Sequence, residues 1–264
     1  MGRIERKFEE LKGKGEGALI TYAMAGDPDE GRCLEYVRAL EEGGADLLEL
    51  GVPFSDPTAD GPVIQKAETR ALRAGIDVAK TVEMVGEVRK FSQIPVVLMG
   101  YYNPFFRFGE SELVQRCVEA GVDGLLIPDL PLEEAAHLLE LCRSEPLELI
   151  FLATPETDRV RFSRLAEATG GFIYLVGRYG TTGARDELSS YTEGVVRRFG
   201  PLVAEELPLV VGFGLSKEEH INRVIEAGAR GAVVGSALVD LIGQGAAPEA
   251  LREKTEKLKR GTRL

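Results

Sequence analysis

Cysteine, histidine and the side-chain amides are scarce in this chain, and long apolar runs are missing. Three cysteines occur in 264 residues, Cys33, Cys117 and Cys142. They are odd in number, far apart and set in helical patterns. That excludes a disulfide framework and a clustered metal site, and it reads as thiols kept reduced. The two histidines, His137 and His220, sit on helix patterns away from strand ends and read as solvated or capping groups. No stretch approaches the roughly 18 apolar residues of a membrane span, and residues 1–8 have no apolar core of signal-peptide length. The expectation is a soluble, cytoplasmic protein without a membrane partner. A formal net charge of −11 excludes a general nucleic-acid binder. Basic residues gather only in the tail 254–263, which reads as a solvated last helix. Only two Asn and four Gln occur. Few thermolabile amides mark proteins from hot environments, so melting above the roughly 45–65 °C of mesophile domains is expected.

What is present is a regular alternation. Hydrophobic residues make up 44% of the chain, enough for a proper core, and the length suits a single domain, 1–264. Short apolar runs recur at 18–24, 45–52, 94–100, 124–127, 147–153, 171–176, 207–213 and 231–234. Between them lie amphipathic stretches with helical spacing, such as 32–40 and 111–118. Asp158 before Arg159, and Ser216 with Glu219 three residues on, read as helix N-terminal caps, the second as a capping box. Strands joined by helices imply parallel pairing through right-handed crossovers, and eight such units close an α/β fold of the (β/α)8 TIM-barrel kind. An open doubly wound sheet is the rival, disfavoured by eight units in series and by the lack of an early Gly-x-Gly-x-x-Gly turn. The spacing is looser at 53–75 and 178–190, after the second and sixth strands, where a barrel carries its chemistry.

The second strand places an acid among hydrophobic residues. With period two, Leu47, Glu49 and Gly51 share one face while Leu48 and Leu50 share the other. A carboxylate there loses hydration, so its pKa should rise toward the range useful for proton transfer. Asp60 follows in a loop stiffened by prolines. Two carboxyl groups in unlike surroundings form a candidate acid/base pair; the plain alternative is a strand glutamate paired with a base elsewhere in the fold. At the other end of the chain, Val211-Gly-Phe-Gly-Leu-Ser216 and Val234-Gly-Ser-Ala-Leu238 each open a helix. Glycines let the backbone approach a ligand there, and helix N-termini attract anions, so the last two strands predict a phosphate cradle. Gly183 would add a third donor. Barrel turns also use glycine for geometry alone.

With these features in place, the chain resembles the tryptophan synthase α-subunit family over nearly its full length. The segments that carry the likeness are 18–28, 48–65, Met99-Gly-Tyr-Tyr-Asn-Pro104, 124–131, Tyr174 through Ala184, Gly212-Phe-Gly214 and Gly235-Ser-Ala237. The resemblance implies retro-aldol cleavage of indole-3-glycerol phosphate to indole and glyceraldehyde 3-phosphate, with no metal and no cofactor in this subunit. It implies that Glu49 protonates the indole C3 carbon and helps remove the glycerol hydroxyl proton, and that Asp60 hydrogen-bonds the indole N–H. It maps the phosphate cradle onto Gly183, Phe213, Gly214, Gly235 and Ser236, and the indole slot onto Tyr22, Met99, Tyr101, Leu152 and Tyr174. For Tyr101 and Tyr174, ordinary barrel packing is the plain alternative. Thr182 would belong to a lid closing over Asp60.

The family also implies a partner, a pyridoxal-phosphate-dependent β subunit in an α2β2 heterotetramer that receives the indole. Pro53, Asp56, Pro57, Asn103, Pro104 and Phe105 resemble its docking surface, with Phe105-Phe106 as an apolar pair in a loop. Two departures fall in the lid. Gly177 stands where the family usually has serine, and the lid reads Tyr179-Gly-Thr-Thr-Gly where a small residue and valine are commoner. Alternative readings are a stand-alone lyase of the same fold and a weakly catalytic allosteric subunit, the latter opposed by the intact Glu49 and Asp60. A different sugar-phosphate isomerase or aldolase is opposed by the lack of a lysine at any strand end.

Overall fold

The computed structural model describes residues 1–176, 190–204, 206–212 and 214–263. Within them run nine strands: β1 (Ala18–Met24), β2 (Leu47–Gly51), β3 (Val96–Met99), β4 (Gly124–Leu126), β5 (Glu148–Ile150), β6 (Leu152–Ala153), β7 (Ile173–Val176), β8 (Leu209–Gly212) and β9 (Gly231–Val234). Every pairing is parallel, in the order β5-β4-β3-β2-β1-β9-β8-β7-β6. The two ends of that order, β5 and β6, are one apolar run interrupted at Phe151. The sheet therefore returns on itself, and the fold is the expected TIM barrel rather than an open sheet.

Alternation along β2 does what period two demands. Leu47 packs inside the barrel with Ile20, Val97, Leu126, Ile150 and Val210. Leu48 and Leu50 pack outward against the helices. Glu49 thus shares the interior face with Leu47.

The helices are α1 (Arg3–Lys14), α2 (Glu30–Glu42), α3 (Pro62–Arg73), α4 (Val78–Arg89), α5 (Tyr102–Phe108), α6 (Glu110–Ala120), α7 (Ala136–Arg143), α8 (Arg159–Ala168), α9 (Ser190–Phe199), α10 (Glu218–Glu226), α11 (Ser236–Gly243) and α12 (Pro248–Arg260). The first is not foreseen from the strand–helix alternation. Its Ile4, Phe8 and Leu11 recur at helical spacing and seal the amino end of the barrel, Phe8 lying 6.0 Å from the Phe172 ring. Ligand access is thereby left to the carboxyl ends of the strands. Asp158 caps α8 as expected, accepting the Arg161 N–H at 2.8 Å. The capping box at Ser216 does not form. Helix α10 begins after Lys217, and the Ser216 N–H meets Nδ1 of the buried His220 at 3.4 Å instead.

Much of the stretch expected as loose after β2 is helix α3. Gly61 and Pro62 start it, and Ile64, Ala67 and Ala71 supply its buried stripe. The tail is likewise not wholly solvated. Lys259 on α12 reaches Asp46 at 2.8 Å and Glu16 at 3.2 Å, which ties the last helix to the barrel. All three cysteines are buried and free. Among the described residues no helix is long and apolar enough to cross a membrane.

Candidate active site

Glu49 sits beside Tyr22 across the β1–β2 register and is 1% exposed. Among the described residues neither carboxyl oxygen has a hydrogen-bond partner. Burial alone pushes its pKa up to about 8. The group therefore rests as a neutral acid at neutral pH. Among the described residues no base pairs with it, which speaks against the plain reading of a strand glutamate with a basic partner.

Asp60 lies in unlike surroundings. It is buried where the β2 loop meets α3, and its Oδ2 accepts the Tyr101 hydroxyl at 2.7 Å. That hydroxyl in turn accepts the Ala59 N–H at 2.9 Å, and the Gln65 amide donates to the Asp60 carbonyl at 2.8 Å. Burial raises the Asp60 pKa, and the Tyr101 bond pulls it back toward the ionised form. One carboxyl with no partner and another held by a hydroxyl are the two environments an acid/base pair needs.

The slot residues converge on this pair. Tyr22 and Tyr174 are buried, and their hydroxyls occupy the space that a Cβ at Gly51 or Gly212 would need. Their pKa values rise through burial first. After that, Tyr22 feels the charges of Asp60, Glu68 and Glu49 in turn, and Tyr174 those of Glu49 and Asp60. Met99 closes β3 and Leu152 opens β6, both half-buried against the interior cluster. A hollow of about 760 Å³ opens over Leu152, Val176, Ala59 and Thr154, within the usual range for small-molecule sites.

Two of the turns expected to form a phosphate cradle, at Gly214 and Gly235, follow β8 and β9 at the carboxyl ends of the strands. Gly214 holds φ +81°, a conformation that favours glycine, and no described residue other than its chain neighbours lies within 4 Å of where a Cβ would stand. Gly235 precedes α11, and a Cβ on it would stand 3.3 Å from the Tyr22 Cβ. Ser236 opens that helix, whose first N–H groups have no intrahelical acceptor. Gly183, Phe213 and the lid residue Thr182 lie outside the described residues, as do Gly177, Tyr179 and Thr181.

The loops after β2 and β3, from which the expected docking residues come, lie together. Asp56, Asn103 and Pro104 line a shared hollow with Phe54, Arg107 and Phe108, and Pro57 is half-buried in the same β2 loop. Two members of the expected set are corrected. Pro53 is buried, and Phe105 is wholly buried, its ring packed under Gly100. Helix α5 turns Phe105 into the core and leaves Phe106 61% exposed, so Phe106 is the aromatic this face offers.

One site residue escapes the sequence reading. Glu68 on α3 is 2% exposed, and its Oε2 has no partner. Burial and then the Asp60 charge push its pKa up to about 8, while the Phe54 backbone N–H draws it partly back. A signal existed: Glu68 follows Ile64 by four residues and so falls on the apolar stripe of α3.

A closed parallel barrel, plugged at its amino end and carrying two buried carboxyl groups at the carboxyl ends of its strands, defines a (β/α)8-barrel enzyme. Comparison with known proteins narrows the class. The family model described as Tryptophan synthase alpha chain matches residues 8–263. A tryptophan synthase alpha chain of Methanosarcina barkeri is 46% identical over 260 residues, 98% of this chain and 97% of that one. Among solved structures, a Mycobacterium tuberculosis tryptophan synthase chain superposes with TM-score 0.91 at 34% identity, covering 100% and 99% of the two chains. A chain of the tryptophan synthase complex from Pyrococcus furiosus gives 0.85 at 40% identity, covering 92% and 98%. The chain belongs to the tryptophan synthase alpha chain family, and its role is that of a lyase in tryptophan synthesis.

Proposed function

We propose that this chain cleaves indole-3-glycerol phosphate to indole and glyceraldehyde 3-phosphate with its own side chains and no cofactor. The observation that carries the reading is the pairing of an unpartnered neutral Glu49 with a Tyr101-held Asp60 at one end of the barrel. Neutral Glu49 delivers its proton to C3 of the indole ring, and the Asp60 carboxylate stabilises the positive charge that then develops on the ring nitrogen. The Glu49 carboxylate so formed removes the proton from the hydroxyl on the side-chain carbon bonded to C3. As the C–C bond breaks, the hydroxyl carbon becomes an aldehyde and the bonding electrons restore the neutral ring. Glu49 ends protonated, ready for the next turn. Tyr22, Met99, Tyr101, Leu152 and Tyr174 would flank the ring. Gly214, Gly235 and Ser236, with Gly183 and Phe213, would hold the phosphate on backbone N–H groups.

The natural partner under this reading is a β subunit carrying pyridoxal phosphate, which takes the indole in a cytoplasmic α2β2 assembly. The relative from Pyrococcus furiosus, crystallised as a tryptophan synthase complex, supports it. So do the exposed Asp56, Asn103 and Phe106 beside the Asp60 loop. Docking there would order the loop and hold Asp60 at its working distance. We further read the chain as one domain. The test is indole release from indole-3-glycerol phosphate, titrated with purified β subunit and followed by size-exclusion chromatography. Low activity alone, rising saturably with co-elution, supports the reading. Fast release without binding would leave a stand-alone lyase.

A further inference from the structure

Helix α3 meets the β2 loop at two points, Gln65 at the Asp60 carbonyl and Glu68 at the Phe54 backbone. Gln65 donates its amide to the Asp60 carbonyl at 2.8 Å. Three residues on, one turn along the same helix, Glu68 is buried, bonds the Phe54 backbone of the β2 loop and feels the charge of Asp60. The helix itself is anchored from the far side, where Arg70 holds Asp27 through two bonds at 2.6 and 2.8 Å. Among the described residues the Glu68 carboxyl group has no salt-bridge partner, and one of its oxygens bonds nothing. Such a group is unfavourable for packing alone, since an apolar residue of the same size would avoid the desolvation. Its bonded partner is the Phe54 backbone, and the described groups that share charge effects with it are Asp60 from the β2 loop, Tyr22 from β1 and Tyr101 from the β3 loop, none of them a cation.

We propose that Glu68 is a positioning residue for the cleavage reaction: with Gln65 it forms the α3 face that holds Asp60 in place and leaves Asp60 the one negative charge beside the ring nitrogen. Two buried carboxyl groups that feel one another's charge repel when both are ionised, and the one with less stabilisation keeps the proton. Tyr101 stabilises the charge on Asp60, so Glu68 stays neutral. A neutral carboxyl offers hydrogen-bonding atoms to the β2 loop without adding charge. A carboxamide can do the same; an aliphatic side chain cannot.

This inference rests on the proposed reaction, and its test separates the two. Glu68→Gln, Glu68→Leu and Glu49→Gln are compared for kcat, KM and melting temperature in the α–β complex at neutral pH. Glu68→Gln should keep kcat within about threefold. Glu68→Leu should lower kcat roughly ten- to a hundredfold, with KM changed by less than about twofold, because Asp60 is displaced while the phosphate cradle is untouched. Both variants should melt no lower than the parent. Equal kcat in Glu68→Leu and the parent, with Glu49→Gln inactive, would overturn the role of Glu68 and leave the reaction standing. A Glu68→Leu loss confined to melting temperature or to KM would also overturn it. An active Glu49→Gln enzyme would overturn the reaction itself, and this inference with it.

Discussion

The hydroxyl of Tyr101 donates to Oδ2 of Asp60 at 2.7 Å while accepting the N–H of Ala59 at 2.9 Å. A residue from the loop after β3 thereby pins the loop after β2 at two points, one of them the acid proposed to face the ring nitrogen. Tyr101→Phe should keep the fold and the slot yet lower kcat about tenfold. Since the bond favours ionised Asp60, its loss raises the Asp60 pKa, so the acid-side fall in rate should move to higher pH. A pH–rate profile unchanged in that limb would show that the bond does not govern Asp60.

Glu49 makes a paired prediction on rate and stability. Glu49→Gln cannot shuttle a proton and should lose at least about a hundredfold in kcat. In the parent, kcat/KM should fall as pH rises through about 8, where free Glu49 gives up the proton it must deliver. The same shift is linked to folding. Folded Glu49 keeps its proton up to about pH 8, whereas a solvated glutamate gives it up near 4.5, so its contribution to stability is full below about 4.5 and is lost as pH rises through 8. Glu68 adds a slope of the same sign. Melting temperatures near pH 5 and pH 8 should therefore diverge less in Glu49→Gln than in the parent. Equal divergence would place the charge elsewhere.

The cradle is tested through glycine. Gly214→Val is strained by φ +81° rather than by crowding, and Gly235→Val meets the Tyr22 Cβ. Either should raise KM about tenfold or more, and inorganic phosphate should compete with substrate in the parent. Noncompetitive inhibition by phosphate would move the anion site away from these turns.

Thermal stability follows from composition and ion pairing together. Besides few amides, the chain builds networks rather than isolated pairs: Asp123 with Arg3 and Arg89, Glu133 with Arg161 and Arg164, and Lys259 with Asp46 and Glu16. Such networks gain weight as ion hydration weakens with heating. The isolated subunit should melt above about 65 °C by calorimetry; a transition within the mesophile range would contradict this.

The sequence by itself determined the barrel and the direction of its key side chain. Strand periodicity is a property of one segment, so Leu47, Glu49 and Gly51 had to share a face wherever the strand was placed, and eight repeats of run and helix left few ways to close. Burial of Glu49 followed as well, because its face was apolar. Contacts between segments were decided only by the tertiary structure. Closing the barrel brought Tyr101 from one loop onto Asp60 from the next, set Glu68 of α3 behind it, and drew Lys259 from the tail onto Asp46. It also chose between adjacent phenylalanines, turning Phe105 inward and Phe106 outward. Local pattern fixes which way a side chain points along its own element, whereas the partner it meets depends on how elements distant in sequence pack, and no single segment carries that information.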